Sequence, residues 1–226
     1  MPSEHIVNPS NAALTAREAF LSAALQAQAL RFGEFTLKSG RISPYFFNAG
    51  LFNSGAHLNA LGQAYADTLI AHRSAFDMLF GPAYKGIVLA AVTAQQLYQR
   101  HGLDVGYAYN LKEAKDHGEG GQLVGAPLRG RVVIVDDVIS AGTSVRESVE
   151  LIRQAGATAV AVLIALDRQE RGTGALSAAR QVEQELGVPV WAVASLSDLF
   201  EFVKKHADLS CQSHALESYR DSYGAA

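Results

Sequence analysis

Hydrophobic positions along this chain recur in two rhythms, and the rhythms take turns from one end to the other. Phe20, Leu21, Ala24, Leu25 and Ala29 fall on one helical face that runs to about Arg31, behind a capping box of Thr15 and Glu18. Residues 1–13 are polar and contain Pro and Asn, so a poorly ordered tail is expected ahead of that helix. Over 32–50 the rhythm changes. Phe35 and Leu37 alternate with polar neighbours, Ser39-Gly40 supplies a turn, and Tyr45-Phe46-Phe47 resumes an extended run, which predicts a β-hairpin. Three adjacent aromatics cannot all face one core from a strand of period two. Either one side packs while the other meets a flat ligand, or the segment lies between two layers.

The alternation then becomes regular. Leu58 to about Ala71 predicts a helix carrying Leu61, Tyr65, Leu69 and Ile70, followed by a strand over Phe76–Phe80 and a helix over Ile87–Arg100. Val105–Asn110 reads as a strand, and Val132–Val135 as a short buried one, with Val145, Val149, Leu151 and Ile152 marking an amphipathic helix up to Gly156. Thr158–Leu166 is a long apolar strand, Ala175–Leu186 a helix stopped at Gly187, and Val188–Val193 a last strand in which Trp191 reads as core. Ser195 caps a final helix through Asp198. Strands that alternate with helices in this way predict a doubly wound α/β fold, a mostly parallel sheet flanked by helices with right-handed crossovers.

The chemistry gathers at the ends of the predicted strands. Val132–Val135 runs into Asp136 and Asp137, and the small, hydroxyl-bearing Ser140-Ala141-Gly142-Thr143-Ser144 follows before the helix. In an open α/β sheet, ligands sit beyond the carboxyl ends of the strands, where a helix start offers free N–H groups and a positive dipole end. A phosphate fits such a loop, because small residues let the backbone wrap it closely. The two carboxylates would repel it, so they are assigned to hydroxyls or a metal, which a sugar phosphate carries beside its phosphate. Acidic residues at a strand end also suit a phosphoacceptor site or a helix cap. A second strand-loop-helix, Gly81-Pro82-Ala83-Tyr84-Lys85-Gly86, repeats the geometry with a lysine at the turn. Residues 111–121 form a polar loop with Lys112, Lys115 and His117 that ends in hinge-capable glycines and also fits an ordinary surface loop.

Composition narrows the class. The 226 residues are 49% hydrophobic and 18% charged with a net charge of −3, which suits an ordinary soluble protein rather than a polyelectrolyte partner of nucleic acid. No apolar run approaches the ~18 residues of a membrane span, and Met1–Ser10 lacks a signal pattern, so a cytoplasmic location is expected and no membrane partner. Cys211 is the sole cysteine, which excludes an intrachain disulfide, and no Cys/His cluster has zinc spacing.

Three strings carry a family resemblance. Val135-Asp136-Asp137-Val138-Ile139-Ser140-Ala141-Gly142-Thr143-Ser144 resembles the phosphoribosyl-pyrophosphate motif of type I phosphoribosyltransferases. Phe35-Thr36-Leu37-Lys38-Ser39-Gly40 with Ser43-Pro44-Tyr45-Phe46-Phe47-Asn48 is similar to the amino-terminal signature of the orotate phosphoribosyltransferases, and Lys112 to Gly121 is similar to their catalytic lid. The resemblance covers about residue 15 to the carboxyl end. It implies one domain over 1–226, with a hood mainly from about 15–56 above a core of about 57–226. It implies transfer of the phosphoribosyl group from 5-phosphoribosyl 1-diphosphate to orotate, with Mg²⁺, in pyrimidine synthesis. By the same resemblance, Asp136 and Asp137 hold the ribose hydroxyls, and Val138 to Ser144 bind the 5-phosphate. Lys38, Tyr84, Lys85 and Lys112 reach the donor, Phe46 and Phe47 lie beside orotate, and Arg168 binds it. Lys115 and His117 act from the lid, which in that family serves the neighbouring subunit and so implies a homodimer. Arg171 has no such role and reads as structural. The chain departs from the pattern at Leu111, where the family usually carries an arginine that helps bind pyrophosphate.

Two other readings compete. Transfer to a purine is disfavoured by the hood signature and Arg168. A regulatory protein that kept the donor site but lost catalysis is disfavoured by the intact lid and by the lack of a basic DNA-binding segment.

Overall fold

The computed structural model describes residues 9–37, 40–112, 123–172 and 174–225; for 9–15 only the backbone is described. Helix α1 (Pro9–Gln26) leads into an antiparallel hairpin of β1 (Leu30–Thr36) and β2 (Ile42–Phe47). Next come α2 (Gly55–Ala71), β3 (Met78–Gly81), α3 (Lys85–His101), β4 (Gly106–Asn110), β5 (Leu123–Gly125), β6 (Arg131–Asp136) and α4 (Thr143–Gln154). The chain finishes with β7 (Thr158–Asp167), α5 (Ala178–Leu186), β8 (Val190–Ser195), α6 (Leu196–Lys205) and α7 (Ser213–Tyr223).

Six strands form the main sheet in the order β5-β4-β3-β6-β7-β8, all parallel except β5 against β4. This is the doubly wound, mostly parallel sheet that the alternation predicts. The apolar run of β6 is continuous because both faces are covered. Val133 and Val135 point into a core shared with α1, α2, α3 and α6, and Val132 and Ile134 into a second core closed by Val145 and Ile152 of α4 and Val182 of α5. The register sets the carboxyl ends side by side: Phe80 pairs with Ile134 across β3 and β6, and Asp136 with Ile164 across β6 and β7. Loops after three neighbouring strands therefore open onto one edge. Among the described residues, no helix is long and apolar enough to cross a membrane.

Several boundaries differ from the sequence reading. The first helix starts at Pro9, ahead of the Thr15/Glu18 pair, which lies within it, and it stops at Gln26 rather than Arg31. Leu30 is taken by the hairpin, paired with Phe47, and Gln28 turns the chain at positive φ. Strand β5 has only three residues and one is glycine, so its pattern is too short to read. Helix α7 escapes because only Leu216 and Tyr219 of its residues are buried. Trp191 sits at the rim of the core, stacked on His72 at 4.2 Å, rather than inside it.

Candidate active site

Asp136 closes β6, and the turn after it is built from small residues for a steric reason. Gly142 takes a left-handed conformation (φ 73°), and a Cβ there would meet Val182 Cγ2 at 2.6 Å. It begins α4 without any side-chain cap, so that helix's first N–H groups face the loop. Arg146 braces the turn by donating from Nη1 to the Ala141 carbonyl (2.6 Å) while its other nitrogens bind Glu185. Ser140, Ala141 and Thr143 are exposed, whereas Val138 and Ile139 pack against the two cores.

The loop after β3 is its neighbour. Gly86 is required there, since a Cβ would strike Pro82 Cδ at 2.6 Å and the Val135 carbonyl at 2.9 Å. Tyr84 is 68% exposed and precedes α3, again without a side-chain cap, and Lys112 Nζ stands over its ring at 5.0 Å. Asn110 at the end of β4 accepts from the Ala83 N–H (2.9 Å) and so fixes this loop to the next strand. Lys85 reaches across to donate to Asp137 Oδ2 at 2.5 Å. Two helix starts thus lie side by side, joined by a lysine-carboxylate pair.

Asp136 and Asp137 differ in surroundings. Asp137 is buried and held by Lys85. Asp136 accepts from the Asp137 N–H (2.9 Å) and from the Ser144 hydroxyl (3.1 Å), but burial, followed by the charge of Asp137, pushes its pKa up to about 6. The Asp136 carbonyl is held by the buried Tyr65 hydroxyl at 2.8 Å; burial keeps that phenol protonated as a donor. Asp136 is therefore a carboxylate awaiting positive or hydrogen-bond-donating company. Among the described residues, no group of three or more His, Cys, Asp or Glu side chains could hold a metal by itself.

On the hairpin, the aromatic run splits between the two faces. Tyr45 and Phe47 are buried, with Phe47 against Phe20 (6.3 Å between centroids). Phe46 faces the other way beside Phe35 (5.4 Å), with Arg31 over both rings. Of the expected pair only Phe46 is turned away from the core. Arg168, in the loop after β7, joins the hairpin to the sheet by donating from Nη2 to Ser43 Oγ (3.2 Å). Arg171 ties the same loop to α7, donating to the Ser222 carbonyl. Lys38, Lys115 and His117 lie outside the described residues.

Sequence reasoning missed Tyr65, Asn110, Arg146 and Ser43. Asn110 alone carried a signal, a polar residue closing a strand at the ligand edge. Tyr65 looked like one more member of an apolar helical stripe.

A model of the phosphoribosyl transferase domain matches residues 56–197. An orotate phosphoribosyltransferase of Thioalkalivibrio sulfidiphilus is 60% identical, covering 93% of this chain and 99% of its own, and one of Laribacter hongkongensis is 60% identical over 92% and 97%. The crystal structure of the orotate phosphoribosyltransferase of Francisella tularensis superposes with a TM-score of 0.82 at 42% identity, covering 91% of this chain and 99% of that one. Fold, strand-end loops and near-full-length identity agree, and the chain belongs to the orotate phosphoribosyltransferase family of type I phosphoribosyltransferases.

Proposed function

We propose that this site transfers the phosphoribosyl group of 5-phosphoribosyl 1-diphosphate to orotate, giving orotidine 5'-phosphate and diphosphate in pyrimidine synthesis. The observation that carries the reading is the pairing of two uncapped helix starts with an acidic pair between them. A donor with a phosphate at one end, a diphosphate at the other and hydroxyls between has the same order of charges. The loop Val138–Ser144 takes the 5-phosphate on backbone N–H groups, Asp136 and Asp137 accept from the ribose hydroxyls, and the Tyr84-Lys85 turn takes the diphosphate end. We read the chain as one phosphoribosyltransferase domain with the hairpin as its hood.

In the reaction a ring nitrogen of orotate bonds to the anomeric carbon as the bond from that carbon to the diphosphate oxygen breaks, and the proton of that nitrogen leaves to solvent or to the departing diphosphate. Positive charge grows on the ribose and negative charge on the leaving group. Lys38, Lys85, Lys112, Lys115 and His117 supply the cations for the leaving diphosphate, and Asp136 and Asp137 orient the ribose and offset part of its charge. Mg²⁺ fits the acidic pair, because a cation there would relieve the burial and mutual repulsion that raise Asp136. Held there, it would add positive charge beside the leaving diphosphate. Arg168 meets the orotate carboxylate, with Phe46 beside the ring. Closure of 112–121 keeps water from the ribose.

The active unit is a homodimer whose lid serves the neighbouring subunit. Exposed apolar side chains on α3 (Val88, Tyr98), on β4 (Tyr107) and on the edge strand β5 (Leu123) support a second copy as partner. The protein works in the cytoplasm. A turnover assay with orotate and then hypoxanthine, with and without Mg²⁺, tests reaction, base and metal together: turnover of hypoxanthine instead of orotate overturns the base assignment. Mixing inactive Lys115→Ala and Asp137→Asn subunits should restore part of the activity. No recovery after demonstrated subunit exchange places the lid in its own subunit's site.

A further inference from the structure

Arg168 is held more firmly than a side chain waiting for a substrate needs to be. Its Nε donates to Glu170 Oε1 at 2.8 Å, its Nη2 lies 2.6 Å from the same oxygen and donates to Ser43 Oγ, and its guanidinium carbon sits 4.4 Å from the centre of the Tyr45 ring. A guanidinium has five N–H donors in a fixed fork. Among the described residues none accepts from Nη1. The planar group is therefore fixed along one edge, and the other edge remains for a ligand.

Glu170 is itself held from several sides. The Tyr45 hydroxyl donates to Oε1 at 3.5 Å, Arg41 Nη1 lies 3.8 Å from Oε2, and the Glu170 backbone bridges to Gly224. The Ala225 N–H donates to the Gln169 carbonyl, and the Arg171 N–H to that of Tyr223. Tyr219 of α7 stands edge-on to Tyr45 at 6.2 Å, and its hydroxyl, raised in pKa by burial and then by the charge of Glu170, lies against Glu170 and Arg168 without a contact to either that meets hydrogen-bond geometry. The carboxyl-terminal helix and the residues after it thus pack behind the 168–171 loop, although no sequence motif lies in them.

We propose that Glu170, braced by Tyr45 and the carboxyl-terminal helix, is the positioning residue that turns the Nη1 edge of Arg168 toward the carboxylate of the base, making α7 part of base selection. The proposal rests on the assignment of Arg168 to orotate. Without Glu170 the guanidinium is free to swing about its stem, and each binding event has to order it again. A purely structural Glu170 would lower stability and leave base selection alone.

Steady-state kinetics on the intact protein test this. Glu170→Ala should raise the KM for orotate by about tenfold, the loss of roughly one charged hydrogen bond, while the KM for the donor stays within about twofold. Glu170→Gln, which keeps an oxygen to accept from Nε, should recover most of the loss. In an Arg168→Ala background, Glu170→Ala should add nothing, because its effect runs through the arginine. If Glu170→Ala does not fold, Tyr45→Phe keeps the ring and removes the hydroxyl that holds Glu170, and a rise of about threefold in the orotate KM is expected. Equal rises in both KM values, a full additional loss in the Arg168→Ala background, or an unchanged orotate KM in the variant that folds overturns the positioning role. An orotate KM untouched by Arg168→Ala itself overturns the base assignment, and the positioning role with it.

Discussion

The two ends of strand β6 carry charge in opposite ways. At its start Arg131 forks onto Asp77, with Nε donating to Oδ2 (3.0 Å) and Nη2 to Oδ1 (2.8 Å), and the Arg131 N–H joins at 2.7 Å. Those hydrogen bonds hold the exposed Asp77 carboxyl down at about 2. Five residues later Asp136 is crowded by Asp137 and by burial, and its pKa stands at about 6. One end satisfies its charge within the chain, and the other leaves its charge unsatisfied. The helices follow the same division. Ser54, Ser177 and Ser195 cap α2, α5 and α6 with their side chains, but α3 and α4, which start at the acidic pair, have no such cap; of the others α7, which begins outside the sheet, also lacks one. Where a fold sets uncapped helix N–H groups beside a buried carboxylate that its two hydrogen bonds do not fully compensate, a ligand carrying both phosphate and hydroxyl groups suits both.

The comparison breaks most sharply if the acidic pair is structural. Asp136→Asn with Asp137→Asn should reduce turnover by about 10³-fold or more with the fold retained, if both carboxylates serve the ribose as proposed. Unfolding of the double variant, followed by circular dichroism, would show that they hold the sheet edge instead.

A smaller effect is expected in stability, with a definite sign. Because the folded pKa of Asp136 is raised, its contribution is favourable below the unfolded value near 4 and is lost as pH climbs through about 6. Asp136→Asn alone should therefore unfold at higher denaturant than the parent above pH 6, by at most about 3 kcal/mol, with the gap closing below pH ~4. A variant less stable than the parent at pH 7 would mean that the ionised carboxylate is already satisfied in the empty site.

Leu111 offers a way to add charge at the ligand end. It follows β4 rather than closing it, is half-buried, and lines a cleft with Lys112, Arg146, Glu147 and Glu150. Leu111→Arg should tighten donor binding by about 1–2 kcal/mol, as one charge-assisted hydrogen bond to diphosphate, and leave orotate binding unchanged. Capture of the arginine by Glu147 or Glu150 would raise Tm without altering the donor Kd.

How much of this was legible follows the same division. The two strand-loop-helix turns were readable because their pattern is local: a buried strand, small residues and a helix start lie within about a dozen consecutive positions around Asp136 and around Lys85. The alternation of strands and helices gave the fold class for the same reason. The support around Arg168 was not readable, because Ser43, Tyr45 and Tyr219 come from the hairpin and the carboxyl-terminal helix, and only tertiary packing brings them together. The aromatic triplet was half readable: period two required a split, but not which of Phe46 and Phe47 would face out. Strand β5 needed a partner strand to exist at all, and no pattern of three residues announces that.

The smallest effect belongs to the satisfied end, and it is the control for all the others. Asp77→Asn removes the charge that Arg131 grips but keeps one oxygen to accept a hydrogen bond. Both side chains are exposed, so solvent and salt screen most of the lost attraction. The folded pKa of Asp77 is lowered, so its contribution is present above the unfolded value near 4 and disappears as pH falls through about 2. Asp77→Asn should therefore lower Tm slightly at neutral pH, less so as salt is added, and match the parent near pH ~2, the reverse of the trend for Asp136→Asn. Its kinetic constants should equal the parent's, because the amino end of β6 lies at the opposite end of the strand from the acidic pair. A change in the KM for the donor on Asp77→Asn would show that the two ends of β6 are coupled, and the division between a satisfied and an unsatisfied end would no longer account for where this protein binds.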